Sequence, residues 1–191
     1  MGTVKSLLLG MCFVLGACTS QTSTVQTTEK GTQWEWQNGT IVVKTPERPA
    51  GQKSVLGLTT PKLEAVRVGF VGLGMRGPGA VERFTYIPGT QVVALCDYEE
   101  ARADKCQELL KKASMPKAAV YSGDKGYEEL CKRDDIDLVY VAADWLHHFP
   151  VAKCALENGK NVAIEVPSAM NLQECWDLIN LSESTRKHCF I

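Results

Sequence analysis

The sequence predicts an α/β fold built on a doubly wound parallel sheet, with helices on both faces. From Val66 onward, short apolar segments alternate with longer segments whose apolar residues recur at helical spacing. The short segments are apolar throughout rather than at alternate positions, as expected of strands that are buried on both faces. Six such strands, each separated from the next by a helix, match the doubly wound architecture.

The composition is that of a globular protein and excludes some classes of partner. Of 191 residues, 45% are hydrophobic and 23% are charged, and 21 basic residues balance 22 acidic ones to a net charge of −1. This balance lacks the basic footprint of a nucleic-acid-binding protein, so we expect no nucleic acid partner. Eight cysteines are present but none forms a Cys-x-x-Cys pair, which favours buried free thiols over a disulfide framework or a metal site.

The first residues are typical of an export signal. Lys5 precedes an apolar stretch that ends at Leu15, and the segment Leu15–Cys18 resembles a bacterial lipobox. We therefore predict a lipoprotein signal peptide over residues 1–18, with lipidation of Cys18 and anchoring to a membrane. The protein would then lie in the bacterial cell envelope, in the periplasm or on the outer surface. The alternatives are a plain secretory signal and an apolar start that arose by chance.

Residues 19–63 are expected to form a tether and an irregular entry segment, followed by the nucleotide-binding domain over residues 64–191. The tether is rich in Thr, Ser and Gln, and Asn38-Gly39 favours a small hairpin between residues 34 and 43. In the domain, we predict that Asp124 caps a helix, that Pro150 opens the next one and Gly159 closes it, and that Asn171 caps the last. The predicted strands are 66–71, 91–96, 118–121, 138–143, 161–164 and 188–191.

A glycine-rich segment, Gly72–Gly77, follows the first strand and opens a helix. In a dinucleotide-binding turn, Gly72 permits the sharp bend, Gly74 lets the backbone approach a pyrophosphate, and Gly77 lets the helix pack against the strand. Asp97 ends the second strand, where a carboxylate accepts hydrogen bonds from the ribose hydroxyls and repels a 2′-phosphate. The pattern therefore predicts a Rossmann domain that binds NAD in preference to NADP. The alternatives are that Asp97 is only a turn residue and that the glycines serve tight packing without a ligand.

Two further segments end predicted strands and are therefore expected at the ligand-binding edge of the sheet. Asp144–His148 follows the fourth strand, and Glu165–Pro167 follows the fifth. Trp145 is interpreted as lying at the edge of the cofactor, with core packing as the alternative. Adjacent residues such as His147 and His148 rarely face one ion, so no metal is predicted.

These residues together resemble glycoside hydrolase family 109, the NAD-dependent α-N-acetylgalactosaminidases of the Gfo/Idh/MocA superfamily. The resemblance rests on residues 68–80, 145–148 and 165–170, and it extends to the entry segment 48–58. It departs from the family at His147, where a second aromatic residue is usual. Beyond the glycines, the resemblance implies that NAD is lined by Met75, Arg76, Asp97, Trp145, Leu146, His147, His148, Glu165 and Val166.

The resemblance also implies an activity, the hydrolysis of terminal α-N-acetylgalactosamine from glycans. In this chemistry NAD takes a hydride from sugar C3, loss of the C2 proton expels the group at C1, water adds, and the hydride returns, so no net oxidation occurs. Such enzymes depart from the two-carboxylate scheme of most glycosidases. The family has a further substrate-binding domain, so we expect this chain to be an amino-terminal fragment, inactive alone, with its unknown catalytic residues beyond Ile191.

Two alternatives remain open. A sugar or cyclitol dehydrogenase of the same superfamily typically carries Glu-Lys-Pro after the fifth strand, and its lysine assists proton transfer. Here the middle residue is Val166, which cannot donate a side-chain hydrogen bond. The other alternative is a truncated, non-catalytic nucleotide-binding lipoprotein. Neither the composition nor the motifs predict an oligomeric state.

Overall fold

The computed structural model describes residues 26–27 and 33–191, and the chain divides into two compact units, Met1–Lys44 and Thr45–Ile191. The predicted lipobox, Cys18 and most of the tether lie outside the described residues. Within the described ranges, no helix combines the length and apolar character needed to cross a membrane.

The described part of the first unit is a small antiparallel sheet. Its strands, in spatial order, are β1 (Gln26–Thr27), β2 (Gln33–Gln37) and β3 (Thr40–Val43). Asn38 and Gly39 connect β2 to β3 with φ values of 50° and 79°. Positive φ at both central residues is the requirement of the two-residue hairpin turn that Asn-Gly favours, so the predicted hairpin is confirmed.

The second unit contains a six-stranded, wholly parallel sheet in the order β6-β5-β4-β7-β8-β9. The chain starts this sheet at its centre, builds outward to β6, and then returns to place β7 on the other side of β4. The predicted doubly wound fold is therefore confirmed, with its switch point between β4 and β7. The strands are β4 (Val66–Val71), β5 (Thr90–Asp97), β6 (Ala119–Ser122), β7 (Leu138–Val141), β8 (Asn161–Ile164) and β9 (Cys189–Phe190).

Five helices cover the two faces of this sheet. They are α1 (Gly77–Phe84), α2 (Glu100–Lys112), α3 (Gly126–Cys131), α4 (Trp145–Glu157) and α5 (Leu172–Thr185). Val68 and Phe70 of β4 pack with α1 and α2, whereas Val71 of the same strand packs with the residues of α3 and α4. Successive strand residues point to opposite faces, so the residues of one apolar strand contribute to the hydrophobic cores on both faces of the sheet.

Two predicted helix starts were wrong. Asp124 does not cap α3, because the helix begins at Gly126 after Lys125 and has no side-chain cap among the described residues. Pro150 does not open α4; it lies inside the helix, which begins at Trp145. The Asp144 carboxylate provides the earlier start by accepting a hydrogen bond from the Leu146 amide at 3.0 Å.

The two remaining helix signals were correct. Gly159 follows α4 with φ 72°, in the left-handed conformation that favours glycine at a helix end. Asn171 caps α5 by accepting a hydrogen bond from the Glu174 amide at 3.1 Å. The Glu174 carboxylate in turn accepts from the amide of Met170, one residue before the cap.

The irregular entry segment is held against α5 by a buried carboxylate. Glu183 accepts hydrogen bonds from Arg48 Nε at 2.8 Å and Arg48 Nη2 at 2.9 Å, and another from Gln52 Nε2 at 2.9 Å. The Gln52 and Arg48 hydrogen bonds lower the pKa of Glu183 from its ordinary value. Arg186 completes the attachment by donating to the carbonyl oxygens of residues 53 and 54. The segment thus lacks secondary structure but has defined partners.

Candidate functional site

The turn between β4 and α1 packs closely against its surroundings. Gly72 has φ 91°, and a Cβ atom added there would lie 2.2 Å from the backbone nitrogen of Ala143. A Cβ atom added to Gly77 would lie 2.1 Å from the carbonyl oxygen of Gly72. Because real Cβ atoms do not approach backbone this closely, both positions require glycine. These two glycines fix the turn against the end of β7 and the start of α1.

The middle of the same turn is open. The nearest atom to a Cβ added at Gly74 would be Arg102 Nη1 at 3.7 Å, and Met75 and Arg76 are both exposed. In the part of the chain that the structure describes, no side chain caps α1, and its first turn holds no acidic residue. Its amide groups and the helix dipole therefore suit an anionic group such as a pyrophosphate.

Asp97 lies at the carboxyl end of β5 and is only 6% exposed. Its Oδ2 accepts a hydrogen bond from the Leu73 amide at 2.6 Å, and its Oδ1 accepts from the Glu99 amide at 3.0 Å. Arg102 Nη1 donates to the same Oδ1 at 3.2 Å. Asp97 therefore fastens the glycine turn to β5, in addition to the ribose-binding role that the sequence predicts.

Arg102 is a site residue that the sequence analysis missed. Its Nη2 also donates to Glu99 Oε1 at 3.0 Å, so the guanidinium lies between two carboxylates beside the glycine turn. An arginine in the first turn of a helix that follows a strand-ending aspartate was the available signal. The helical spacing alone did not reveal that the side chain folds back toward Asp97.

The segment after β7 forms the first turn of α4, because the helix begins five residues before Pro150, where the sequence predicted its start. Asp144 caps the helix, and the side chains of Trp145 and Leu146 are 61% and 72% exposed. Trp145 is therefore not packed into the core formed by the described residues. Both apolar side chains are accessible at the carboxyl edge of the sheet, where ligands bind in such folds.

The two histidines have different environments. The His147 ring contacts the Asp144 carboxylate, with 2.6 Å between Nδ1 and Oδ2, on the exposed surface of the turn. His148 is buried, and its Nδ1 lies 2.7 Å from the carbonyl oxygen of Pro167 while its Nε2 lies 2.9 Å from that of Ala143. Both ring nitrogens of His148 thus contact backbone, so this side chain joins the β7–α4 connection to the segment after β8.

Glu165 and Val166 follow β8 at the same edge of the sheet. Glu165 Oε1 accepts a hydrogen bond from Tyr140 Oη at 2.7 Å, whereas the Val166 side chain is 69% exposed. Burial and this hydrogen bond raise the pKa of Tyr140 above its ordinary value. Tyr140, which the sequence analysis did not identify, therefore orients Glu165.

The predicted site residues lie at the carboxyl ends of four neighbouring strands, β5, β4, β7 and β8, on both sides of the switch point. The Gly72 amide bonds to the carbonyl oxygen of Cys96 at 2.9 Å, and the Ala142 amide bonds to that of Val71 at 2.8 Å. These contacts place the ends of β4, β5 and β7 side by side, and β8 follows next to β7. A cavity of about 450 Å³ lies elsewhere, at the amino ends of β5 and β6, and contains none of the predicted site residues.

The described cysteines are free thiols. Cys96, Cys106 and Cys131 are buried, and burial raises the pKa of Cys96 to about 12 and of Cys106 to about 11. Cys175 differs from the expectation because it is exposed. Across residues 26–27 and 33–191, no group of three or more potential ligands is placed to hold a metal ion.

Curated proteins of one family have sequences very similar to this chain. Glycosyl hydrolase family 109 proteins 4 and 5 of Phocaeicola vulgatus are each 79% identical to it over 100% of this chain. The chain spans 37% of the length of these relatives. The resemblance to family 109 found in the sequence is thereby confirmed for the region that the chain covers.

Solved structures agree with the fold. The myo-inositol dehydrogenase of Lactobacillus casei, solved with NAD(H) and myo-inositol, is 26% identical with a TM-score of 0.55, covering 63% of this chain and 34% of its own. Biliverdin reductase from Synechocystis, solved with biliverdin and NADP⁺, is 26% identical with a TM-score of 0.56, covering 65% and 37% respectively.

The family itself is identified by a match over residues 66–191 to the Gfo/Idh/MocA profile, described as an oxidoreductase family with an NAD-binding Rossmann fold. The match begins at the first residue of β4 and contains every predicted cofactor residue. It also confirms the prediction of NAD as the cofactor. This chain therefore belongs to the Gfo/Idh/MocA oxidoreductase family.

Proposed function

We propose that this chain is the NAD-binding part of a glycosidase that removes terminal α-N-acetylgalactosamine by transient oxidation of the sugar. The observation that carries the proposal is the glycine turn fastened by Asp97 at the switch point, in a chain 79% identical to family 109 proteins. Val166, in place of a proton-transferring lysine, favours the glycosidase over a simple dehydrogenase.

The residues present fit a dinucleotide. Gly74 has open space where a backbone approach to the pyrophosphate is needed, and α1, whose first amides have no side-chain cap, begins three residues later at Gly77. Asp97 retains acceptor capacity, because three donors occupy a carboxylate that has about four lone-pair positions. A ribose hydroxyl can therefore donate to Asp97 while the turn remains fastened.

The other end of the site would receive the reactive half of the cofactor. Trp145, Leu146 and Val166 offer apolar surface. The Val166 side chain cannot donate a proton, and Tyr140 holds Glu165 in place by a hydrogen bond. When bound, NAD would accept a hydride from the sugar and later return it. The groups that orient the sugar and remove its C2 proton are proposed to lie in the part of the relatives that this chain does not span.

Sugar or cyclitol dehydrogenation is the second candidate, and the likeness to an inositol dehydrogenase favours it. The two candidates differ in their redox balance. A dehydrogenase produces one NADH for each substrate oxidised, whereas the glycosidase ends each cycle with NAD⁺. A truncated nucleotide-binding protein without activity is the third candidate.

The deciding experiment uses the full-length protein encoded at the same locus. We expect p-nitrophenol release from p-nitrophenyl α-N-acetylgalactosaminide with NAD⁺ supplied, no accumulation of NADH, and deuterium at C2 of the product sugar in D₂O. Net NADH from a free sugar or cyclitol without glycoside cleavage would favour the dehydrogenase. The 191-residue chain alone is expected to bind NAD without turnover.

We also propose that Cys18 carries a lipid that holds the protein in the bacterial cell envelope. The Leu15–Cys18 segment and the polar tether after it support this location. Cells expressing the wild type should incorporate a fatty-acid label into the protein, and Cys18→Ala should abolish the label. Cys12→Ala is the matched control, and label that survives Cys18→Ala would contradict the proposal.

A further inference from the structure

Two further charged side chains, Arg102 and Glu99, lie beside the Asp97 carboxylate. Arg102 Nη1 lies 3.2 Å from Asp97 Oδ1, and its Nη2 lies 3.0 Å from Glu99 Oε1. The same guanidinium lies 3.7 Å from the position of a Cβ atom on Gly74. A cation is thus placed between the carboxylate that faces the ribose and the turn that faces the pyrophosphate.

This cation works against the cofactor preference that Asp97 alone would impose. An isolated carboxylate repels the 2′-phosphate of NADP, but here a guanidinium partly neutralises it. Arginine is suited to bind phosphate with two parallel hydrogen bonds, and two of its five N–H donors are engaged. Its side chain is 42% exposed and therefore accessible to a ligand.

Glu99 opposes this effect. Its carboxylate engages the Arg102 fork on the exposed side, and its amide donates to Asp97. Asp97, Glu99 and Arg102 together carry a net charge of −1, from two carboxylates and one guanidinium. Loss of Arg102 changes this charge to −2, and neutralisation of Glu99 changes it to zero.

We propose that Arg102 and Glu99 together set how strongly this site prefers NAD to NADP, with Arg102 weakening the preference and Glu99 strengthening it. The proposal rests on the proposed dinucleotide site and concerns its specificity. Asp97 keeps the Leu73 and Glu99 amides as donors when Arg102 is removed, so the glycine turn stays fastened.

The test measures the dissociation constants of NAD⁺ and NADP⁺ for the 191-residue chain by calorimetry. Arg102→Met should raise the ratio of the NADP⁺ constant to the NAD⁺ constant about fivefold, as expected for a partly exposed ion pair. Glu99→Gln should lower the same ratio about threefold, because the guanidinium is released toward the phosphate. Both effects should shrink at high salt.

Lys105→Met is the matched control, since Lys105 is an exposed cation on the same helix, and it should leave the ratio unchanged. Circular dichroism establishes that each variant is folded. An unchanged ratio in both variants, or shifts in the same direction, overturns this inference and leaves the dinucleotide site intact. A wild-type chain that binds neither cofactor overturns the proposed function as well.

Discussion

The candidate site has two halves that differ in burial, packing and hydrogen bonding. The packed half consists of Gly72, Leu73, Gly77 and Asp97, whose atoms are buried, closely packed and hydrogen-bonded. The open half consists of Trp145, Leu146 and Val166, whose apolar side chains are 61% to 72% exposed. We infer that substitutions in the packed half act on folding, whereas those in the open half act on binding.

The largest effect is expected at Gly72. Gly72→Ala places a Cβ atom 2.2 Å from a backbone nitrogen at φ 91°, so it should reduce the free energy of unfolding by at least about 3 kcal/mol. Gly74→Ala is the control within the same turn, because its Cβ atom would have no neighbour closer than 3.7 Å. It should leave the unfolding midpoint in urea unchanged and weaken NAD binding.

Two outcomes would contradict this view of the turn. Equal stability losses in the two variants would mean that the packing of Gly72 is not special. Unimpaired NAD binding by Gly74→Ala would mean that the pyrophosphate does not approach this position.

The next effect is expected at Asp97. Asp97→Ala leaves the buried Leu73 amide without its acceptor, which should cost about 2 kcal/mol of folding free energy and weaken NAD binding. Asp97→Asn keeps one oxygen that can accept from the Leu73 amide, but its NH2 group cannot accept from the Glu99 amide or Arg102. It should therefore cost less than Asp97→Ala only by the retained Leu73 hydrogen bond. Chemical denaturation of the three proteins measures the difference, and equal losses for Ala and Asn would show that the Leu73 hydrogen bond does not determine the stability of the turn.

Asp144 caps the helix whose first turn carries Trp145 and Leu146. Substitution of Asp144 should change the free energy of unfolding less than substitution of Asp97, and the change should depend on pH. Burial acts to raise the pKa of Asp144, but the hydrogen bond from His147 and the helix amides lower it below its ordinary value of 3.8. The folded state therefore binds this proton less tightly than the unfolded state. The ionised carboxylate therefore stabilises the fold at neutral pH. This stabilisation is lost as the pH falls through the pKa that Asp144 has in the folded state.

Asp144→Ala should cost about 1 kcal/mol at neutral pH through loss of the helix cap. Asp144→Asn keeps the cap, so its stability relative to the wild type should improve as the pH is lowered from about 6 to about 3. Thermal unfolding across this range provides the measurement. A constant difference between the two proteins would contradict the assigned role of the ionised carboxylate.

The smallest folding effects are expected in the open half. Trp145→Ala and Val166→Ala should each change the free energy of unfolding by less than about 0.5 kcal/mol, because their side chains are mostly exposed. Each should weaken NAD binding if the open half receives the cofactor. Val151→Ala on α4, whose side chain is buried, is the contrasting control and should destabilise the protein.

The sequence located the turn and the strand end that form the packed half because their signals are local. A sharp turn needs glycine at Gly72, a helix start packed against the turn needs glycine at Gly77, and a strand end favours a polar residue such as Asp97. The strands were predicted for a similar reason, since continuous apolar segments are required wherever both faces are covered. Helix starts were predicted less well, because Pro150 is compatible with an interior position when Asp144 offers an earlier cap.

By itself, the sequence determined the alternation of strands and helices, the doubly wound fold, the glycine turn and the positions of the strand-end residues. Tertiary structure alone decided which of those residues are accessible. His147 and His148 are neighbours in the chain, yet one is exposed while the other is buried between two backbone carbonyls. Arg102 reaches Asp97 only because α2 folds back beside the turn. Local patterns specify backbone conformation, whereas burial and ion pairing depend on which elements the fold brings together.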